Sequence, residues 1–406
     1  MNYLAFRSFY AFFIALISVF LGISFSYPVF AAIPNDPLYG HQWALKQIEA
    51  EQAWKYTTGT SDVVIAVIDG GVDIRHPDLW PNIWVNKAEK IDDGIDNDGN
   101  GYIDDIFGWN FVNNSAWVAP MEAAYQYDDS WSHGTIVASL IGAKGDNQEG
   151  IAGVTWNSKI MPLVVLDGDG FGNISGVIRA IRYAVDNGAD IINLSLTGYE
   201  NDPDLDEAIR DAEAANVLVV VAAGNDAEVA GRDLAEIPIY PACSVNASST
   251  LIAVTGTDVL DQRAPYADYG AACTDLAAPG HDLIAARPTR NPSSPFVTST
   301  LIYVDRITGT SAAAPLVSGA AALIWGVRPE FTVRQVRDIL LNSAQHIEPD
   351  TPIGSVGKLG RGRLHLGRAI QTAVKGKQNK SILEPPTIPT VNHGRQKRTW
   401  MFLEQL

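Results

Sequence analysis

The sequence has only two cysteines, Cys243 and Cys273, four methionines and a charged fraction of 18% over 406 residues. Thiolate metal centres use more soft ligands at tighter spacing, so such a centre is not the basis of function here. The two thiols have two open readings: a disulfide in an oxidising compartment, or separate burial. Positive charge is scarce too: 29 Lys and Arg against 46 Asp and Glu give a formal net charge of −17. That balance argues against nucleic acid as a partner, because neutralising phosphates needs surplus basic residues. No internal repeat is visible. A hydrophobic fraction of 47% with so few charges excludes a disordered chain and fits one large α/β domain or two ordinary ones.

The first residues read as an address. Arg7 precedes an apolar run from Phe9 to Phe25, and Val29-Phe30-Ala31 offers a cleavage site, so residues 1–31 are expected to be a signal peptide. The run also nears the length of a bilayer span, so an uncleaved anchor is the other reading, and only then is a membrane a partner. Either way the protein is exported, to an extracellular, periplasmic or cell-surface location. Beyond it, short β-branched runs at 63–68, 160–166, 191–194, 217–221 and 251–254 alternate with helix-period stretches at 175–187 and 204–215. That alternation predicts a mostly parallel central sheet with helices on both faces, whose ligands sit beyond the carboxyl ends of the strands. Residues 82–132, rich in Trp, Asp and Asn, read as an ordered surface insertion. Residues 374–406, polar, Pro-rich and basic, read as a tail outside the fold.

Four short segments carry chemistry. Asp69 ends the first strand and precedes Gly70-Gly71, where a sharp turn leaves its carboxylate free to orient an imidazole. His133, in Ser-His-Gly-Thr, starts an apolar stretch that reads as a buried helix. Ser311, in Gly-Thr-Ser-Ala-Ala-Ala-Pro, opens another helix, where free N–H groups favour a developing oxyanion. Asn225 closes Ala-Ala-Gly-Asn after the fourth strand and has a side-chain amide to donate. Alone, each has a bland reading as turn residue, helix cap or structural histidine.

Together, in the order Asp, His, Asn, Ser, these segments resemble the subtilisin-like serine peptidases from about Pro34 to Ala373, and the peptidase domain is expected over residues 32–373. The resemblance implies a three-layer α/β subtilisin-like fold and a serine endopeptidase: Ser311 as nucleophile, His133 as base and acid, Asp69 orienting His133, and Asn225 in the oxyanion hole. It also implies a cleft that takes extended protein or peptide substrates, edged by Gly170, Phe171 and Gly172. The pocket for the residue before the cut would lie between Ser195, Leu196, Thr197, Gly198 and Ala222, Ala223, Gly224, with Ile239 as a bulky floor favouring small or medium side chains. A monomer is expected.

Calcium is the one cofactor expected, in a structural role, and no organic cofactor is. Asp96, Asp98, Asn100, Tyr102 and Asp104 set oxygen ligands at alternate positions with Gly101 sixth, the first half of an EF-hand-like loop, but Phe107 replaces its closing Glu. Asp93 or Asp105 would complete a shorter loop. By resemblance Asp78 and Asn147 belong to a second calcium site, and Cys243 and Cys273 match a disulfide found in some branches of the family. Ile136, Ala312 and Leu316 stand where relatives carry His, Met and His. The competing function is an inactive, calcium-stabilised, protease-like module that holds peptides without cutting them. A Gly-x-Ser-x-Gly esterase elbow is absent.

Overall fold

The continuous apolar runs become strands buried on both faces, which is why they lack polar alternation. The structure is a computed structural model. It describes residues 33–121, 130–226, 231–244, 249–289, 302–347, 355 and 357–376; the expected signal segment and all but the start of the expected tail lie outside these.

Strands β1 (Val64–Asp69), β2 (Trp109–Asn110), β3 (Lys159–Val164), β4 (Ile191–Leu194), β5 (Leu218–Ala222), β6 (Ile252–Thr257) and β7 (Leu276–Pro279) form one sheet in the order β2-β3-β1-β4-β5-β6-β7. Every pairing in it is parallel. β8 (Leu283–Ala286) and β9 (Tyr303–Ile307) make a separate antiparallel pair. The helices are α1 (Trp43–Gln47), α2 (Ala50–Trp54), α3 (His133–Gly142), α4 (Ile174–Asp186), α5 (Pro203–Ala214), α6 (Thr310–Val327), α7 (Val333–Asn342) and α8 (Leu366–Gly376).

Alternate residues of each strand feed opposite layers. In β1, Ile65 and Val67 pack with α3, α6 and α8, while Ala66 and Ile68 pack with α4 and α5. β5 repeats this, with Leu218, Val220 and Ala222 on the first side and Val219 and Val221 on the second. The two cores hold the sheet between two helical layers, as the alternating pattern predicts. α6 has the length and hydropathy of a membrane span, but most of it is buried inside the protein, and its alanines let it approach the sheet closely.

Several elements differ from the sequence expectation. The segment expected as a surface insertion contributes β2, whose Trp109 and Asn110 are buried and extend the sheet beyond β3. β7, β8 and β9 were not expected at all; each is short, and β9 is half exposed, so it lacks a clear apolar pattern. α8 runs through Gly376, into the segment expected to be tail. The apolar replacements at Ile136, Ala312 and Leu316 all join the core in which α3 packs on α6.

Candidate active site

Neighbouring strands β1, β4 and β5 all end at one edge of the sheet, which brings Asp69, Ser195 and Asn225 to the same rim. Asp69 is 1% exposed, and its Oδ1 accepts from the Gly70 N–H at 2.7 Å. Both of its carboxylate oxygens lie 2.9 Å from His133 Nδ1. The approach depends on Gly134: a Cβ there would fall 2.3 Å from the Gly71 carbonyl oxygen, so the first turn of α3 lies directly on the turn after β1. Burial pulls the His133 pKa down, but the charge and hydrogen bond of Asp69 outweigh it, and the net shift is upward from the ordinary histidine value. With Nδ1 facing the carboxylate, the Nδ1–H tautomer is favoured and Nε2 keeps its lone pair.

Ser311 sits in the first turn of α6 and is half-buried. Four residues on, Pro315 has no N–H to give, so the Ser311 carbonyl has no helical donor. The Ser195 hydroxyl fills that place, donating to Ser311 O at 3.0 Å. Behind it, Asn193 Nδ2 donates to Ser195 Oγ at 2.9 Å, and Ser318 Oγ of α6 donates to Asn193 Oδ1 at 2.8 Å. This buried polar chain sews β4 to α6 on both sides of the proline. A fully satisfied network of this kind fixes one packing of the helix.

Asn225 is tied to the residue before Ser311. Its Oδ1 accepts from the Thr310 N–H at 2.8 Å and from the Thr310 hydroxyl at 3.1 Å, while Thr310 Oγ1 accepts from the Gly224 N–H at 3.0 Å. With the amide oxygen so held, the Nδ2 donor is turned away from Thr310. A Cβ placed on Gly309 would meet Ser311 Oγ at 2.8 Å and Asn225 Nδ2 at 3.6 Å, so hydroxyl and amide flank one small space at the helix tip.

In the segment after β4, Gly198 and Tyr240 exchange both backbone hydrogen bonds, each 2.8 Å. Ile239 is buried, and its Cδ1 lies 2.2 Å from where a Cβ on Gly224 would be, so it fills the space next to that glycine. Cys243 and Cys273 are disulfide-bonded and pack with Ala223 and Ile239; the Cys243 N–H donates to Ile239 O. Thr197 and Gly198 are exposed and Leu196 is partly covered. In the loop after β3, Phe171 is 71% exposed. Its N–H donates to Asp167 Oδ1 and its carbonyl accepts from the Asp167 N–H.

A family model described as the subtilase family matches residues 60–374. This chain belongs to the subtilase family. Thermitase of Thermoactinomyces vulgaris is 32% identical over 83% of this chain and 99% of its own length. Halolysin of Haloferax mediterranei is 36% identical over 83% of this chain. The chain spans about half of halolysin's length, 54%. Among solved structures, one described as proteases from Pseudoalteromonas arctica has a TM-score of 0.67 and 27% identity, covering 84% of this chain and 99% of that one.

Two acidic groups of this subtilase fit a cation. Asp78, fully buried, accepts from Asn147 Nδ2 at 2.9 Å, from the Ile151 N–H at 3.0 Å and from the Tyr303 hydroxyl at 3.0 Å. Asp36, which the sequence reading missed, joins this group: its Oδ2 accepts from the Asp146 N–H, and its buried Oδ1 has no hydrogen-bond partner among the described residues. Burial pushes the Asp36 carboxyl above its ordinary value against the pull of backbone N–H groups, and the Asp78 charge adds to the push. Such an orphaned oxygen beside a second carboxylate suits a hard divalent cation.

In the loop at 89–105, Glu89, Asp96 and Asp98 each bring a carboxylate oxygen within 4.8 Å of the others. Glu89 is the second residue the sequence reading missed, because it precedes the spaced motif. Asp104, expected to face the same point, has φ +57° and accepts from the Asp93 and Gly94 N–H groups. Asn100 Nδ2 reaches Asp98 and Asp105, and the Tyr102 ring packs on Trp109 and Tyr183.

Proposed function

We propose that this subtilase is an exported serine endopeptidase that opens peptide bonds through an acyl-enzyme on Ser311. The observation that carries the reading is the 2.9 Å contact of His133 Nδ1 with both oxygens of a buried Asp69. A histidine so oriented, with its pKa raised, is a general base in search of a proton donor, and the helix-tip serine is its partner.

In this mechanism Ser311 Oγ attacks the scissile carbonyl carbon while His133 Nε2 takes the hydroxyl proton. The tetrahedral oxyanion is stabilised by Asn225 Nδ2 and by the backbone N–H of Ser311. Collapse breaks the C–N bond, and His133 gives its proton to the leaving amine. Water then adds to the acyl-enzyme by the same route and releases the acid. Asp69 holds the imidazole in register throughout. Phe171's own backbone groups and the Gly170 N–H are taken by Asp167, and both Gly198 backbone groups by Tyr240, so an extended substrate would pair with the Gly170 carbonyl and Gly172 on one side, and with the Ser195–Thr197 rim opposite. Ile239 against Gly224 leaves room for a small or medium side chain before the cut.

The peptidase unit is residues 32–373, with residues 1–31 a signal peptide; export accords with the disulfide. Calcium would be held by Asp36, Asp78 and Asn147, and by Glu89, Asp96 and Asp98, where it supplies charge neutralisation that stiffens loops. Oligopeptide amides with Ala or Val before the cut test the proposal: the purified protein should hydrolyse them and Ser311→Ala should not. Peptide binding without cleavage by calcium-loaded wild type would make the protein a binding module instead.

A further inference from the structure

β9 leads through Thr308 and Gly309 into the first turn of α6, so whatever fixes β9 fixes the approach to Ser311. The hairpin it forms with β8 is outside the main sheet, and Asp305 and Arg306 are exposed. A lone two-stranded pair is marginal without further packing. One side chain supplies a deep anchor at its outer end. The Tyr303 ring meets the buried His76 edge-on, with centroids 5.4 Å apart. It occupies a seat that only glycine leaves open: a Cβ on Gly150 would lie 1.9 Å from Tyr303 Cζ. The tyrosine hydroxyl donates to Asp78 Oδ2 at 3.0 Å and lies 3.4 Å from Glu149 Oε1. Next to it, Ile302 O is 3.2 Å from His76 Nε2. The same Asp78 carries Asn147 on its other oxygen and sits near the unpartnered Asp36 Oδ1.

We propose that Tyr303 is a positioning residue, whose hydroxyl bond to Asp78 transmits divalent-cation occupancy of the Asp36–Asp78–Asn147 cradle to β9 and so to the serine-bearing turn. The proposal rests on the reading of Ser311 as nucleophile. A cation relieves the repulsion between Asp36 and Asp78 and holds Asp78 still. The still carboxylate holds the Tyr303 hydroxyl, and the hairpin gains a fixed end. Linkage is reciprocal, so loss of the hydroxyl also weakens cation binding at the cradle. The acidic loop at 89–105 has no such bond to β9, so its cation is felt as stability alone.

The test compares wild type with Tyr303→Phe, which keeps the ring in its seat and removes only the hydroxyl, each with calcium chloride and after chelation. Hydrogen exchange of the 304–307 amides is read in a Ser311→Ala background to prevent self-cleavage, and kcat and KM in the active forms. In wild type, calcium should slow exchange at 304–307 about tenfold or more, the scale of one hydrogen bond to a carboxylate, and raise kcat with KM little changed. In Tyr303→Phe, calcium should still raise the melting temperature yet alter neither exchange nor kcat. Calcium acting on exchange equally in both proteins, or on neither, overturns the proposal. Exchange is read without turnover, so this arm decides the coupling even if Ser311 proves not to be the nucleophile, a separate failure that active-site labelling reveals.

Discussion

The rim at Asp69 and the loop at 89–105 both set carboxylates against backbone N–H groups, yet they are held by opposite means. Asp69 ends a strand whose side chains are buried in two apolar cores, so its position costs the site nothing in mutual repulsion. The loop has little apolar content of its own. Glu89 accepts from the Asn97, Asp98 and Asp104 N–H groups, and Asp96 from Gly99, Asn100 and Gly101. Its carboxylates face one another across less than 4.8 Å. Its tie to the protein is polar and aromatic: Tyr183 of α4 donates to the buried Asp105 at 2.5 Å, and burial followed by that carboxylate pushes the tyrosine pKa far up. The rim is positioned by packing, whereas the loop brings like charges together.

The largest effect that would break this comparison is at Asp69. Asp69→Asn should lower kcat about 10⁴-fold, the scale found when a triad carboxylate becomes an amide, while the melting response to calcium persists. The pH profile adds a sign. The His133 pKa is raised, so activity should fall as pH drops through a value above the ordinary 6.5 or so, because protonation removes the base. In Asp69→Asn, burial is left without its counterweight, and the acid limb of kcat/KM should move to lower pH. Stability has the opposite dependence. A raised folded-state pKa means the Asp69–His133 pair stabilises fully below the unfolded histidine value, and the contribution is lost as pH rises through the folded one.

Asn225→Ala comes next, with kcat about 10²–10³-fold lower and KM little changed, the range measured for subtilisin's own oxyanion amide. Asn225 also bonds Thr310, so a melting curve on the same variant separates lost oxyanion binding from a loosened helix tip. Ile239→Ala should leave Ala substrates within a few-fold and raise kcat/KM for Phe before the cut by about 10–200-fold, the worth of a small change in pocket volume. The smallest effect on turnover belongs to the acidic loop. Asp98→Asn should remove about 1–3 kcal/mol of calcium-dependent stability, the linkage expected for a ligand near a hundred times its Kd. Its kcat should stay within twofold, and a large fall would erase the distinction between the regions.

Sequence and structure agree best on the placement of the candidate site residues at element ends. Asp69, Asn225 and Ser311 were legible because a strand end, a Gly-Asn turn and a helix start each constrain local sequence. His133 was legible for the same reason, and the order of the four did the rest. What was hidden is non-local. Asp36 meets Asp78 only through tertiary packing around residues 146–151, and Glu89 reaches the spaced motif from outside it. Asp104 sat at a ligand position by spacing, but its left-handed backbone turns the carboxylate to Asp93 and Gly94 instead. β2 escaped notice because Trp109–Asn110 is too short for a period, and Tyr303 because one tyrosine in a half-exposed strand has no pattern at all.

Labelling with a fluorophosphonate probe, read by peptide mass spectrometry, asks whether Ser311 is an activated nucleophile. One adduct per chain is expected, on Ser311, absent in Ser311→Ala and about 10⁴-fold or more slower to form in His133→Ala. Folded, calcium-loaded wild type that takes no label, or takes it on another residue, would contradict that role.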